Sequence, residues 1–150
     1  MSQNNENNTM VFFLQGLELL NISLVEIKSV KKEIFALPAE IKSSVDNKFK
    51  NMKKIDKDKG IYYFNVYSTY ILEANQEGKK EAGLKIQITY LLEYRAKKEM
   101  TDELFVEFQE SYLMLNIYPY FRFLIQEITS RMGLPPLVLN VIQVRMNQEK

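Results

Sequence analysis

Two consecutive segments, residues 61–74 and 81–95, alternate in polarity over lengths that only a long β-sheet accommodates. In the first, Tyr62, Phe64, Val66, Ser68, Tyr70 and Leu72 share one face. Ile61, Tyr63, Asn65, Tyr67, Thr69 and Ile71 share the other. The even face is the more apolar, so it is expected to meet helices while the tyrosine-rich odd face points away. In the second segment Leu84, Ile86, Ile88, Tyr90 and Leu92 alternate against Lys85, Gln87, Thr89 and Glu93, the pattern of a strand buried on one side. Asn75-Gln76-Glu77-Gly78 supplies the turn between them.

The preceding residues extend the sheet. Residues 43–56 read as a strand with Val45, Phe49 and Ile55 on one parity and Lys48, Lys50 and Lys54 on the other. Asp58-Lys59-Gly60 turns it into the next strand. The lysines are interleaved with Asp46, Asp56 and Asp58 and lack a glycine-rich phosphate cradle, so they read as guards of a strand edge. From Met10 to Val30 the chain reads as one long strand, apolar on both parities: Leu17, Leu19, Val25 and Ile27 on one, Leu20, Ile22 and Leu24 on the other. Gly16 suggests a bulge in it. A helix competes, because Leu17, Leu20, Leu24 and Ile27 are also helix-spaced. Residues 31–41 form a crossover broken by Pro38, and Ile34, Phe35 and Leu37 within it either tuck against the core or form a surface binding lip. Residues 1–9 are polar and read as a disordered tail.

The last third is helical. Thr101 is an N-cap candidate, and Asp102 and Glu103 suit the positive end of a helix running to about Leu115, with Leu104, Phe108, Tyr112 and Leu115 aligned. A main helix then starts at Asn116 as N-cap, with Pro119 in its first turn and a stripe of Ile117, Phe121, Leu124, Ile128 and Met132. Arg131 in the last turn, a left-handed Gly133, and Pro135-Pro136 end it. Residues 143–150 are expected to fray. The order of elements gives an α+β class: a four-stranded antiparallel sheet followed by helices packed on one face, one domain over residues 10–142.

Composition removes several functions. The 150-residue chain has no cysteine and no histidine, which excludes disulfides, thiolate nucleophiles and the usual catalytic triads and dyads. Glu103, Glu107 and Glu110 have helical spacing but read as a solvated face, so no metal and no cofactor is expected, and the chain does not read as an enzyme. A net charge of +1 argues against a dedicated nucleic-acid binder. No segment reads as a membrane span or signal peptide, so a cytoplasmic protein is the expectation.

The main helix also carries a resemblance. Tyr118-Pro119-Tyr120-Phe121-Arg122, then Ser130-Arg131 before Gly133, then Pro135-Pro136-Leu137-Val138-Leu139, resembles the core helix of the SecB-type export chaperones and their SecB-like relatives. The motif residues are Pro119, Tyr120, Arg122, Ser130, Arg131, Gly133 and Pro135. The resemblance implies a chaperone that holds unfolded or extended polypeptide in hydrophobic grooves, without ATP; the chain has no P-loop. A dedicated interaction protein on the same fold, such as a chaperone attached to a toxin–antitoxin system, is the alternative. The best-known members are strongly acidic, continue into a second C-terminal helix and end in a tail that docks on the export motor. The charge here, and the few residues after Leu139, argue against that contact.

Area points to assembly. Strands of about 12 residues make a sheet face of roughly 750 Å², and two helices cover roughly 450 Å² of one face. What remains needs another cover. The resemblance implies a homotetramer built from two dimers, with Ile117, Phe121 and Leu124 near a symmetric contact. Tyr63 and Tyr67, with Leu91 if the register brings it near, and the crossover residues Ile34, Phe35 and Leu37 are the candidate client-binding residues.

Overall fold

The structure, a computed structural model, describes residues 2–52, 59–76, 78–135 and 137. The two alternating segments are its central strands, β3 (Tyr62–Asn75) and β4 (Leu84–Ala96). On either side lie β1 (Glu18–Lys31), beside β4, and β2 (Glu40–Asn51), beside β3. All neighbours are antiparallel, in the order β1-β4-β3-β2, so the crossover from β1 to β2 spans the sheet and both are edge strands. The helices α2 (Asp102–Phe108) and α3 (Met114–Arg131) follow, as the α+β reading requires.

The inward register of the central pair is the one that alternation dictates. Phe64, Val66, Ser68, Tyr70, Leu72 and Ala74 of β3 are buried, and so are Leu84, Ile86, Ile88, Tyr90, Leu92, Tyr94 and Ala96 of β4. Ser68 is the polar member of this layer, and its hydroxyl donates to Asn47 Oδ1 on β2. On β2 the inward residues Val45 and Phe49 face Tyr70 and Val66, while Lys54 and Ile55 of the expected strand lie outside the described residues.

The first thirty residues depart from expectation. Residues 2–15 form a helix, α1 (Ser2–Gln15), where a disordered tail and the start of a strand were expected. Gly16 lies in the turn that ends α1 and is not a bulge; its N–H bonds Phe13 O at 3.3 Å. The bulges lie within β1, where the register shifts around Leu20 and around Val25. Each shift exchanges the parity that faces inward. The inward set is therefore Leu19, Ile22, Leu24 and Ile27, opposite Tyr94, Leu92, Tyr90 and Ile88. This explains why β1 reads as apolar on both parities.

The helical cover is one run from Asp102 to Arg131, without a break at Asn116. Thr101 caps it, its hydroxyl accepting from Leu104 N at 3.2 Å. Between α2 and α3 the residues Gln109–Leu113 form a π-turn. The buried residues step from Phe108 to Leu113, five apart, and then to Ile117, Phe121, Ile125 and Thr129, four apart. The wide turn keeps both halves facing the sheet. Asn116 is consequently interior, and its amide donates to Tyr94 OH at 3.2 Å. Pro119 sits inside α3, where its missing N–H leaves the Leu115 carbonyl without its usual helical donor.

The helix stop is as expected. Gly133 has φ 76, its N–H bonds Ser130 O and Leu134 N bonds Thr129 O, each at 3.1 Å, which is the paired bonding of a Schellman cap. Thr129 then accepts from Leu137 N, drawing the chain back along the helix end. Residues 138–150, including the fraying tail expected at 143–150, lie outside the described residues.

Candidate polypeptide-binding surface

The inner face of the sheet is covered unevenly. The Phe121 ring lies between β3 and β4, 5.3 Å from Tyr70 and 5.6 Å from Tyr90. Ile117, Phe121 and Ile125 are fully buried in this layer. Tyr120 meets the Tyr90 ring edge-on at 5.7 Å, and Tyr90 pairs across to Leu24 on β1. There the cover stops: Leu24 and Ile27 point inward yet remain 45% and 40% exposed. Leu20 and Val25, the bulge residues, are more exposed still. The result is an aliphatic shelf along an edge strand whose outer backbone groups have no strand beside them among the described residues. Tyr120 walls one side of it, and Phe123 is exposed one turn further along α3.

This shelf can bind apolar side chains and, along the open edge, backbone. Completing the burial of Leu24 and Ile27 would contribute roughly 1 kcal/mol each. Proton chemistry does not fit it. Burial pushes the phenols of Tyr90 and Tyr70 up from their ordinary value, which keeps them neutral. Tyr94 is pushed up further, burial outweighing the bond from Asn116. Among the described residues no three His, Cys, Asp or Glu side chains gather at ligating distance. No helix among them is long and apolar enough to cross a membrane.

No protein-family model matches the sequence, and no curated protein matches it. Solved structures do match. The chain is similar to the Mycobacterium tuberculosis Rv1957 SecB-like chaperone, solved in complex with a ChAD peptide from the Rv1956 HigA1 antitoxin. The TM-score is 0.64 at 18% identity, over 91% of this chain and 97% of that one. This is the SecB-like fold. A protein of unknown function from Streptococcus agalactiae shares it at a TM-score of 0.56 and 8% identity, over 83% of this chain and 97% of that chain.

The SecB-like fold distributes the expected site residues over three places. Tyr67 and Leu91 are cross-strand partners on the outer face, as the register argument requires, and Tyr63 stands on that face four residues along β3. Polar pairs surround this small apolar island: Thr69 with Thr89, Asn21 with Glu93, Lys85 with Glu73 and Arg95 with Glu18. The crossover residues lie elsewhere, by the end of β3 near Ala74, about 23 Å from Tyr67 along the strand. Ile34 is exposed and Leu37 half-buried. Phe35 is not a lip residue: its ring is buried against Gly83, where a Cβ would overlap it.

Two oligomer-contact assignments need correction as well. Ile117 and Phe121 are fully buried within the monomer, because the stripe that suggested a partner's sheet packs on its own. Leu124 is half-buried beside them. Of the motif residues in the SecB-like helix, Tyr120 touches the shelf's floor through Tyr90, and Gly133 forms the cap. Arg131 pairs with Glu127 at 2.8 Å; Pro119, Ser130 and Pro135 are exposed, and Arg122 is half-buried. The residues missed beforehand were Leu24 and Ile27. Their signal was present in the double-parity apolar pattern of β1, which a strand with both faces covered would also produce.

Proposed function

We propose that the protein is an ATP-independent, SecB-like molecular chaperone that holds extended polypeptide along β1. The observation that carries this reading is the uncovered shelf of Leu24 and Ile27 on an edge strand of this fold. Aliphatic burial would supply affinity with little side-chain specificity, and backbone pairing at the open edge would accept any sequence that can extend. On this reading the protein acts by binding rather than by catalysis. Its setting is the cytoplasm, where keeping a client unfolded would also serve protein transport.

A dedicated version of the same activity is favoured by one comparison: the similar Rv1957 chaperone is solved with a peptide of an antitoxin. Aggregation assays separate the two. Suppression of heat-induced aggregation of two unrelated proteins at near-stoichiometric ratios supports the general holder. Protection of neither, with retained affinity for a single co-encoded protein, supports the dedicated one, and failure of both would remove the chaperone reading.

Self-association belongs to the same reading. The outward face of α3 presents Leu115, Tyr120 and Phe123, all exposed, and a homotetramer of two dimers would cover them. Light scattering should return a multiple of the 17.7 kDa chain, and a single species at that mass would overturn the assembly.

A further inference from the structure

Among the described side chains of α1, those that reach the core belong to its last two turns. Residues 2–9 contain no aliphatic or aromatic side chain. Met10 and Phe13, one turn apart, are buried and Leu14 packs beside them, whereas Val11 and Phe12 are 55% and 63% exposed.

What Phe13 enters is already built without it. Phe64 stacks on Tyr94 at 5.0 Å, Tyr94 meets Phe108 edge-on at 5.5 Å, and Phe64 meets Phe108 edge-on at 5.9 Å. These rings come from β3, β4 and α2, so the cup they form is held by the sheet and its cover. Phe13 adds a fourth ring, 6.1 Å from Phe64 and 5.9 Å from Phe108. The cup is also in line with the shelf. Tyr94 pairs with Leu19 and Tyr90 with Leu24, four β4 residues or about 13 Å apart, with Ile22 between them on the inward side. A polypeptide extended over Leu24 would bring a side chain four residues further on above the cup.

We propose that α1 is a displaceable strap, and that Phe13 competes for the aromatic cup with an aromatic side chain of an extended polypeptide bound along β1. The inference rests on the polypeptide-holding function and adds to it a preferred side chain and a built-in competitor. Three rings in stacked and edge-on contact select a fourth ring over a charged or small side chain. While the strap is seated, the apparent affinity falls by the fraction of molecules with an open cup.

The chain has no tryptophan, so Phe13→Trp places a single indole in the cup. The probe is reduced, carboxymethylated α-lactalbumin, with a pair of extended ten-residue peptides differing only in Phe or Ser at one central position. Because the lactalbumin has tryptophans of its own, its binding is read by size exclusion, and only the tryptophan-free peptides are used for fluorescence. Saturation with the Phe peptide should shift the indole emission to the red, and Phe13→Ser should bind that peptide about tenfold more tightly than the unaltered protein. An indole that stays buried at saturation overturns the strap while leaving the holder intact. Failure of the unaltered protein to bind any probe overturns the holder, and the strap with it. If Phe13→Trp does not fold, amide exchange over residues 10–15 of the unaltered protein decides: faster exchange on saturation supports the strap, and unchanged or slower exchange overturns it.

Discussion

β4 and β1 are hydrogen-bonded neighbours with similar apolar content, yet one is sealed and the other is open. Every inward residue of β4 is buried, whereas β1 offers Leu24 and Ile27 to solvent. The difference lies in where α3 rests. Phe121 sits over Tyr70 and Tyr90, which centres the helix on β3 and β4, and its width does not reach the edge. Closed core and open apolar surface thus fall on different strands of one sheet. An inward residue of β4 can be altered only at the expense of the fold, while β1 has inward surface left exposed.

The largest expected effect tests the sealed side. Phe121→Ala should destabilise the protein by about 3–5 kcal/mol, seen as a lower denaturant midpoint, because a fully buried ring leaves a cavity between two tyrosines. Ile27→Ala on the open side should stay within about 1 kcal/mol of the unaltered protein. Equal losses would mean that β1 is covered in the working assembly.

The helix stop holds the cover in place. Gly133→Val forces a β-branched residue to φ 76 and should cost about 1–2 kcal/mol by thermal unfolding, although no neighbouring atom crowds the site. An unchanged midpoint would show that the last turn of α3 contributes nothing to the sealed face.

Alkaline titration sharpens the contrast further. Burial raises Tyr94, Tyr90 and Tyr70 above the ordinary tyrosine value, so the folded state favours the neutral phenol. That contribution is fully present below about pH 10, where both states keep the proton. As pH rises further the unfolded chain ionises first, so stability falls until the folded groups titrate too. Midpoints measured from about pH 8 to about pH 11 should decline at the upper end, and less steeply in Tyr94→Phe. Leu24→Ser with Ile27→Ser should cost about 2 kcal/mol, since each side chain is already more than half buried, still less than Phe121→Ala, and should abolish polypeptide binding in a fluorescence titration. Intact binding would move the client site to the outer island of Tyr63, Tyr67 and Leu91.

How legible this was depended on whether a segment follows a single period. β3 and β4 do, and their inward parity, the Thr101 cap and the Gly133 stop followed from local chemistry, while the Tyr67–Leu91 pairing depended on a register that alternation alone does not set. β1 does not, because two bulges exchange its faces twice, so its open shelf was hidden in an unassignable pattern. α1 was hidden for a different reason: its first eight residues carry no apolar period, and Phe13 docks by one ring. Of the candidate client-binding residues, Tyr63, Tyr67 and Leu91 share one face, whereas Phe35 is buried, because an apolar residue in a crossover reads alike as a lip or a plug. Ile117 and Phe121 posed the same ambiguity between a subunit's own sheet and its partner's.

The π-turn at Gln109–Leu113 sets where this chain can change length. Removing one residue there would close the turn to ordinary α geometry, and Leu113 would still follow Phe108 on the inward face, now four positions later. Removing one residue near Phe123 would instead rotate everything after it by about 100° and carry Ile125 and Thr129 off the sheet. The helical cover therefore has one site where a single-residue deletion is geometrically mild, and it lies between the half that closes the aromatic cup and the half that borders the shelf.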